Sequence, residues 1–128
     1  MAFMWDLLFW LYFANAVLLI NHEIDSAYWR EWNLFKLPGG IAVFLVVHLI
    51  AIPPILYGMI LVHDGRYSGL IFSLILCVAG VFAFTVHTYF ISRGRQEFRA
   101  PVSLFILAAA LVVSLTQGTI TIYLMGIR

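Results

Sequence analysis

The sequence predicts an all-α integral membrane protein, in which four membrane-spanning helices form a bundle with antiparallel neighbours. Hydrophobic residues make up 64% of the 128 residues and charged residues only 10%, whereas soluble domains carry about 25% charged residues. The apolar residues fall in long blocks, which differ from the short alternating strands of a transmembrane barrel. Four of these blocks reach the length of about 20 residues that a spanning helix needs.

A single transmembrane domain, residues 1–128, is expected to hold all four spans. The connections at 63–68 and 92–100 are short, so consecutive helices must run in opposite directions. The first apolar stretch follows no positively charged segment of the kind that opens a signal peptide, so we expect it to be a retained helix. The predicted spans cover roughly residues 4–21, 41–62, 69–91 and 102–125.

The longest connection, between the first two spans, predicts a short amphipathic helix at the membrane interface over roughly residues 26–36. Tyr28, Trp32 and Phe35 recur at i, i+4 and i+7, and tyrosine and tryptophan favour the interface because their rings are amphipathic. Pro38-Gly39-Gly40 then ends this helix and reverses the chain. The remaining polar residues occupy the other faces of the same helix: Arg30, Glu31, Asn33 and Lys36.

The distribution of lysine and arginine predicts the orientation. Only two basic residues, Arg66 and Arg128, fall on one side of the membrane. The positive-inside rule therefore places the richer side in the cytoplasm and both termini on the non-cytoplasmic side. The basic residues on the richer side are Arg30, Lys36, Arg93, Arg95 and Arg99.

Charge and cysteine content exclude several classes of protein. The formal net charge of +1 and the absence of a run of like charges exclude nucleic acid as a partner. The single cysteine, Cys77, rules out a disulfide framework or a cysteine-based metal site within one chain. The expected partners are membrane lipids, together with a membrane-protein partner or a second copy of the chain.

Three of the four histidines are predicted to lie in the cytoplasmic leaflet, each on a different span. His22 lies at the end of the first span, His48 about 12 Å deep in the second, and His87 about 7 Å deep in the third. His63 falls at the opposite side. Because ionisable groups are costly in a bilayer and usually face the bundle interior, His22, His48 and His87 are the candidate metal ligands.

Two carboxylates accompany these histidines. Glu23 and Asp25 are candidate catalytic residues, each as a ligand or as a general base. Two or three imidazoles with one or two carboxylates form the ligand set of a zinc or non-haem iron site. The same groups are suited to passing protons, since histidine titrates near neutral pH. Haem is a further option, with His48 and His87 as axial ligands.

A purely structural interpretation of the same residues stays open. Asp25 or Ser26 would serve as the N-cap of the interfacial helix. His48 and His87 would each make an interhelical hydrogen bond, and Pro53-Pro54 would shape the second span. Three polar residues on one face of the fourth span are expected to make hydrogen bonds of the same kind: Ser114, Gln117 and Thr121.

The segment from Asn21 to Gly40 carries a recognisable combination of residues. It reads His-Glu-Ile-Asp-Ser-Ala-Tyr-Trp from His22 and closes with Leu-Pro-Gly-Gly. This segment resembles the signature of a family of small uncharacterised bacterial four-helix membrane proteins. It is loosely similar to the group named for a His-x-x-Glu-Glu motif, whose acidic pair would fall on Asp25 and Ser26. The resemblance implies the four-helix fold and a bacterial inner membrane, and it implies no activity.

Three hypotheses for function follow from these observations. The first is a His/carboxylate site in the cytoplasmic leaflet that binds a metal ion or acts on a lipid-soluble substrate, since the chain has no soluble domain to capture another kind. The second is a non-catalytic accessory or assembly subunit of a larger membrane complex. The third is a proton or small-ion transporter that works as an oligomer, because four helices alone enclose little pore.

Overall fold

The residues that the structure describes form four long helices and one short helix. The computed structural model describes residues 1–127, so Arg128, which was counted in the orientation, lies outside the described residues. The helices are α1 (Ala2–Tyr28), α2 (Glu31–Leu34), α3 (Gly40–His63), α4 (Tyr67–Ser92) and α5 (Pro101–Gly126). All except α2 are long and apolar enough to cross a membrane. The predicted four-helix bundle is confirmed, and its composition indicates an integral membrane protein.

The four long helices form a ring in the order α1, α3, α4, α5. Along this ring each helix packs against its two neighbours, and α1 also contacts α4 across the centre. The carboxyl ends of α1 and α4 meet the amino ends of α3 and α5 at one end of the bundle, where α2 also lies. We call this the α2 end. The diagonal contact between α1 and α4 is what brings side chains of these two helices together inside the bundle.

The region between α1 and α3 differs from the expected interfacial helix. α1 continues to Tyr28, and only the single turn Glu31–Leu34 is helical after it. No proline or glycine interrupts the chain between Asn21 and Tyr28, so nothing in the backbone ends α1 at the predicted position. The chain breaks instead at Arg30, whose backbone is left-handed with φ of 53°. Ser26 is therefore buried inside α1 rather than capping a surface helix.

Close packing in the other half of the bundle depends on a buried polar network and on glycine. Asn15 of α1 donates to Ser114 Oγ at 3.0 Å and to Gln117 Oε1 at 2.8 Å on α5. Gln117 Nε2 donates to Ser73 Oγ on α4 at 2.8 Å, and a Cβ on Gly80 would meet Ser114. Since these amides and hydroxyls find partners on neighbouring helices, they act as the interhelical hydrogen bonds expected for this face of α5.

α3 is the most loosely packed of the four long helices. Pro53 and Pro54 lie inside it without ending it, although each removes a backbone donor. The side chain of Tyr12 donates to the carbonyl oxygen of Ile55 at 2.8 Å, which ties α3 to α1 just beyond the prolines. On the α2 side of this contact no residue of α3 is buried, and a cavity lies between α3, α1 and α4.

Candidate metal centre

Two histidines meet at the centre of the bundle near the α2 end. His22 on α1 and His87 on α4 have ring centroids 4.5 Å apart, and their exposed fractions are 2% and 1%. His22 lies six residues before the end of α1 and His87 five residues before the end of α4, which places both about 8 to 9 Å below the α2 end. The diagonal contact between α1 and α4 therefore joins two buried imidazoles inside the bundle.

Glu31 completes this group from above. The left-handed turn at Arg30 directs α2 back over the bundle, and Glu31 Oε1 lies 3.3 Å from His87 Nε2. Burial by itself raises the pKa of Glu31, but hydrogen bonds from His87 and Ser26 and the neighbouring imidazoles outweigh it and lower the pKa below its ordinary value. Glu31 is thus held as a carboxylate against the two imidazoles.

The spacing of these three groups suits a metal ion. One ligand atom from each of His22, Glu31 and His87 lies within 4.8 Å of the other two. Two ligands at about 2.0–2.2 Å from a tetrahedral ion are about 3.4 Å apart, and the separation of 3.3 Å between His87 Nε2 and Glu31 Oε1 fits that value. The ligand atom of His22 lies no more than 4.8 Å from each of the other two.

Both imidazoles also carry a nitrogen that has no hydrogen-bond partner among residues 1–127. His22 Nδ1 and His87 Nδ1 are buried and unpartnered, while His22 Nε2 lies 3.4 Å from the hydroxyl of Ser26. A buried polar atom without a partner costs about 1–3 kcal/mol. An ion held by His87 Nε2 and Glu31 Oε1 would leave His87 Nδ1 without a partner, so these two atoms show an unsatisfied cluster and do not mark the position of an ion.

His48 and Glu23 form a separate pair on the neighbouring wall. His48 Nε2 lies 2.7 Å from Glu23 Oε2, and His48 Nδ1 lies 2.7 Å from the carbonyl oxygen of Phe44. Because a carbonyl oxygen only accepts, Nδ1 carries a hydrogen and donates it. The short contact at Nε2 therefore requires one further proton, held by either His48 or Glu23, and the pair is neutral overall in both cases.

Phe98 closes the site from the loop between α4 and α5. Its ring centroid lies 4.0 Å from that of His87 and 5.8 Å from that of His22, and only 1% of the residue is exposed. The backbone at Phe98 is left-handed, with φ of 65°, a conformation that costs a residue other than glycine about 1–3 kcal/mol. Burial of the ring offsets this cost and separates the two imidazoles from the α2 end.

An apolar cavity lies directly below these polar groups. Its volume is about 240 Å³, and all five polar residues of the two clusters line its upper part: His22, Glu23, Glu31, His48 and His87. Ile52 and Ile55 of α3 and Val86 of α4 form apolar walls. Three further lining residues are exposed on the outside of the bundle between α3 and α4, namely Ala51, Ala79 and Phe82. The cavity therefore opens sideways, toward the surface that faces lipid.

The structure brings together only some of the residues singled out from sequence. His22 and His87, predicted as metal ligands, come together, whereas His48 lines the same cavity but is paired with Glu23. Glu23, one of the two predicted catalytic residues, borders the cavity as the partner of His48. Asp25, the other, is half-buried on α1 and does not line the cavity. It does not cap an interfacial helix either, because α1 continues past it.

Two residues of the site were missed by sequence reasoning. Glu31 was assigned to an outer face of a surface helix, and Phe98 was not singled out at all. The aromatic spacing of the 26–36 segment predicts a longer surface helix than the chain forms. On that longer helix Glu31 would lie on an outer face and not in the site. Phe98 is the only aromatic residue in the otherwise polar connection at 93–100, and this isolated ring was the available signal.

Comparison with known proteins places the chain in a family but assigns it no activity. Residues 8–124 match a family described as "Family of unknown function (DUF6713)". Since the match covers nearly the whole chain, the protein belongs to this family. No curated protein and no solved structure matches it. The match includes the segment from Asn21 to Gly40, which carries the resemblance. Because it extends from residue 8 to residue 124, it also includes every residue of the site.

Proposed function

We propose that this protein binds a divalent transition metal inside the membrane, with His22, His87 and Glu31 as ligands, and uses it to act on a lipid-soluble molecule. One observation carries this proposal: two buried imidazoles converge on one carboxylate from three different helices, with a ligand atom of each within 4.8 Å of the other two. This spacing of two imidazoles and one carboxylate is suited to holding a cation.

The ligand set favours zinc or ferrous iron. Two histidines and one carboxylate are common ligands of both metals in sites that keep an open coordination position. Cys77 lies ten residues before His87 on the same helix, about 15 Å along its axis, so a thiolate ligand is not part of the proposal. A metal with an open position polarises a carbonyl or activates water. The metal itself supplies this chemistry, so no side chain besides the metal ligands has to react.

The small cavity excludes haem from the proposal. Protein sites for drug-sized ligands have volumes of about 300–1,000 Å³, and the cavity between His48 and His87 has only about 240 Å³. A porphyrin does not fit in this space. His48 is also occupied on both nitrogens, by Glu23 and by the carbonyl oxygen of Phe44.

We further propose that the α2 end faces the cytoplasm of a bacterium, across its inner membrane, and that both termini face the opposite side. The five basic residues counted for the cytoplasmic side all lie in the connections at the α2 end, which is the pattern of the positive-inside rule. The metal would then lie in the cytoplasmic leaflet. Fusion of a reporter active only outside the cytoplasm to the carboxyl terminus would give signal, and fusion within the loop at 94–97 would not.

Replacing Glu31 by glutamine is expected to weaken zinc binding by at least about tenfold, because the amide keeps the shape of the side chain but removes the anionic ligand. Zinc bound to the purified protein is measured by mass spectrometry of the metal after dialysis against a zinc buffer. The wild type should retain one zinc ion per chain. Glu97→Gln is the matched control, since Glu97 lies at the same end but pairs only with Arg95. Equal zinc retention in both variants would contradict the proposal.

The accessory-subunit and transporter hypotheses stay predictions. The buried polar network consists of the amides and hydroxyls of Asn15, Ser73 and Gln117, and these groups do not take up or release a proton near neutral pH. Neither hypothesis is supported by an observation as specific as the convergence of His22, His87 and Glu31.

A further inference from the structure

The cavity below the metal site has a polar end and an apolar end at different depths. His22 and His87 lie about 8 to 9 Å below the α2 end. The sideways opening at Ala51 and Phe82 lies deeper, because these residues are eleven and ten positions from the ends of α3 and α4, or about 15 to 17 Å along the helices. The polar end of the cavity therefore lies toward the membrane surface and its apolar end toward the middle of the bilayer. A lipid in that leaflet has the same orientation, with its polar group toward the surface and its apolar chain toward the middle.

The size of the cavity limits what enters it. With about 240 Å³, it is smaller than sites that enclose a whole drug-sized ligand. A long molecule would place only one end inside the bundle and leave the rest between α3 and α4, among lipid chains. Phe98 packs on His87 at the polar end, with ring centroids 4.0 Å apart. A second cavity, beside Glu23, Glu31 and His48, has only about 210 Å³, which leaves room for a small headgroup only. The shape is suited to a single chain with a small headgroup.

Charge balance indicates the kind of headgroup. A divalent metal bound by two neutral imidazoles and the Glu31 carboxylate leaves one positive charge. The His48 and Glu23 pair adds no net charge, whichever of the two holds the proton. An uncompensated charge is costly at this depth in a membrane, and one monoanionic oxygen group on the metal would neutralise it.

We propose that the cavity binds a single-chain lipid with a monoanionic oxygen headgroup, of which a long-chain carboxylate is the simplest example. The carboxylate oxygen occupies the open position of the metal, and the chain leaves the bundle sideways past Ala51, Ala79 and Phe82. This inference rests on the proposed function, since the metal supplies the charge that holds the headgroup. His48 faces the headgroup from the wall of α3 and narrows the space beside the metal.

A photoreactive fatty acid tests this inference. Zinc-loaded protein in detergent is irradiated with hexadecanoic acid that carries a diazirine on its chain, and the labelled residues are identified by mass spectrometry. Labelling is expected on α3 and α4 around the sideways opening, with competition by unlabelled hexadecanoic acid and at least a fivefold loss when zinc is removed. The variant Ala79→Trp fills the opening and should reduce labelling at least fivefold while leaving the bound zinc unchanged. Ala108→Trp is the control, because Ala108 is exposed on α5 and does not line the cavity.

The outcomes separate the two proposals. If the wild type binds no zinc, the proposed function fails, and this inference fails with it. If zinc binds but labelling is spread over all four helices, or is equal in Ala79→Trp and Ala108→Trp, the lipid inference is overturned and the metal site stands. Zinc-dependent labelling at the opening that only Ala79→Trp removes supports both.

Discussion

Replacing His87 by alanine is expected to lower the affinity for zinc by more than about 100-fold, because it removes a metal ligand. The expectation follows from its position. His87 is 1% exposed, contacts Glu31 at 3.3 Å and packs its ring against that of His22, so it touches both other proposed ligands. Loss of groups that only support a metal ligand already costs about 10–100-fold in affinity, and removal of a ligand itself should cost more.

The measurement is a zinc titration of purified protein against a coloured chelator of known affinity. His22→Ala should show a loss of the same order, since it also removes one of the two imidazoles. His63→Ala is the matched control: His63 lies at the opposite end of the bundle, where it contacts Asp64 at 3.2 Å and is largely exposed. If all three alanine variants bound zinc as the wild type does, the two buried histidines would not be the ligands.

Replacing Phe98 by alanine is expected to destabilise the folded protein by about 3–5 kcal/mol, the usual cost of deleting a fully buried phenylalanine ring. Phe98 is 1% exposed and packs on both imidazoles. Alanine keeps the cost of the left-handed backbone at this position but loses the burial that offsets it. The same substitution opens the α2 end of the site, so zinc should pass to an external chelator faster than in the wild type.

Unfolding of the zinc-free protein in detergent, followed by circular dichroism, measures the first effect, and the rate of zinc loss to the chelator measures the second. Phe105→Ala is the control, because Phe105 is 68% exposed on the outer face of α5 and should have little influence on either quantity. Stability and zinc release both equal to those of the control would show that Phe98 neither supports nor covers the site.

Hydropathy was enough to predict the architecture. Each span is an uninterrupted apolar block. Such a block forms a helix in a bilayer, because no water is present there to hydrogen-bond its backbone N–H and C=O groups. Short connections then determined the direction of neighbouring helices. These constraints act within one segment at a time, and a single sequence is sufficient to evaluate them.

The composition of the site needed information that periodicity does not contain. Depth along the spans predicted that His22, His48 and His87 share a leaflet, but depth says nothing about the direction in which each helix is rotated. His22 and His87 meet because α1 and α4 contact each other across the ring. His48 is on α3, a neighbour of both, where Glu23 is the nearer partner. That difference depends on helix packing.

Glu31 shows a second kind of limit. A pattern of Tyr28, Trp32 and Phe35 at helical spacing predicts a surface helix that presents Glu31 to water. In the structure α1 extends through Tyr28, and the left-handed residue Arg30 separates it from the single turn that carries Glu31. One backbone conformation, unusual for arginine, thus turns the carboxylate inward. Helix propensity and residue spacing do not predict this left-handed conformation at Arg30.

X-ray absorption of the zinc-loaded protein tests the metal centre most directly, because it reports the type and distance of the atoms bound to the metal. We predict two imidazole nitrogens and one or two oxygens at about 2.0–2.1 Å, with no sulfur. The nitrogen signal should fall by half in His87→Ala and be unchanged in His63→Ala. A shell of oxygen atoms alone would contradict a centre built from His22, His87 and Glu31. A sulfur atom at about 2.3 Å from the zinc, contributed by Cys77, would contradict it as well.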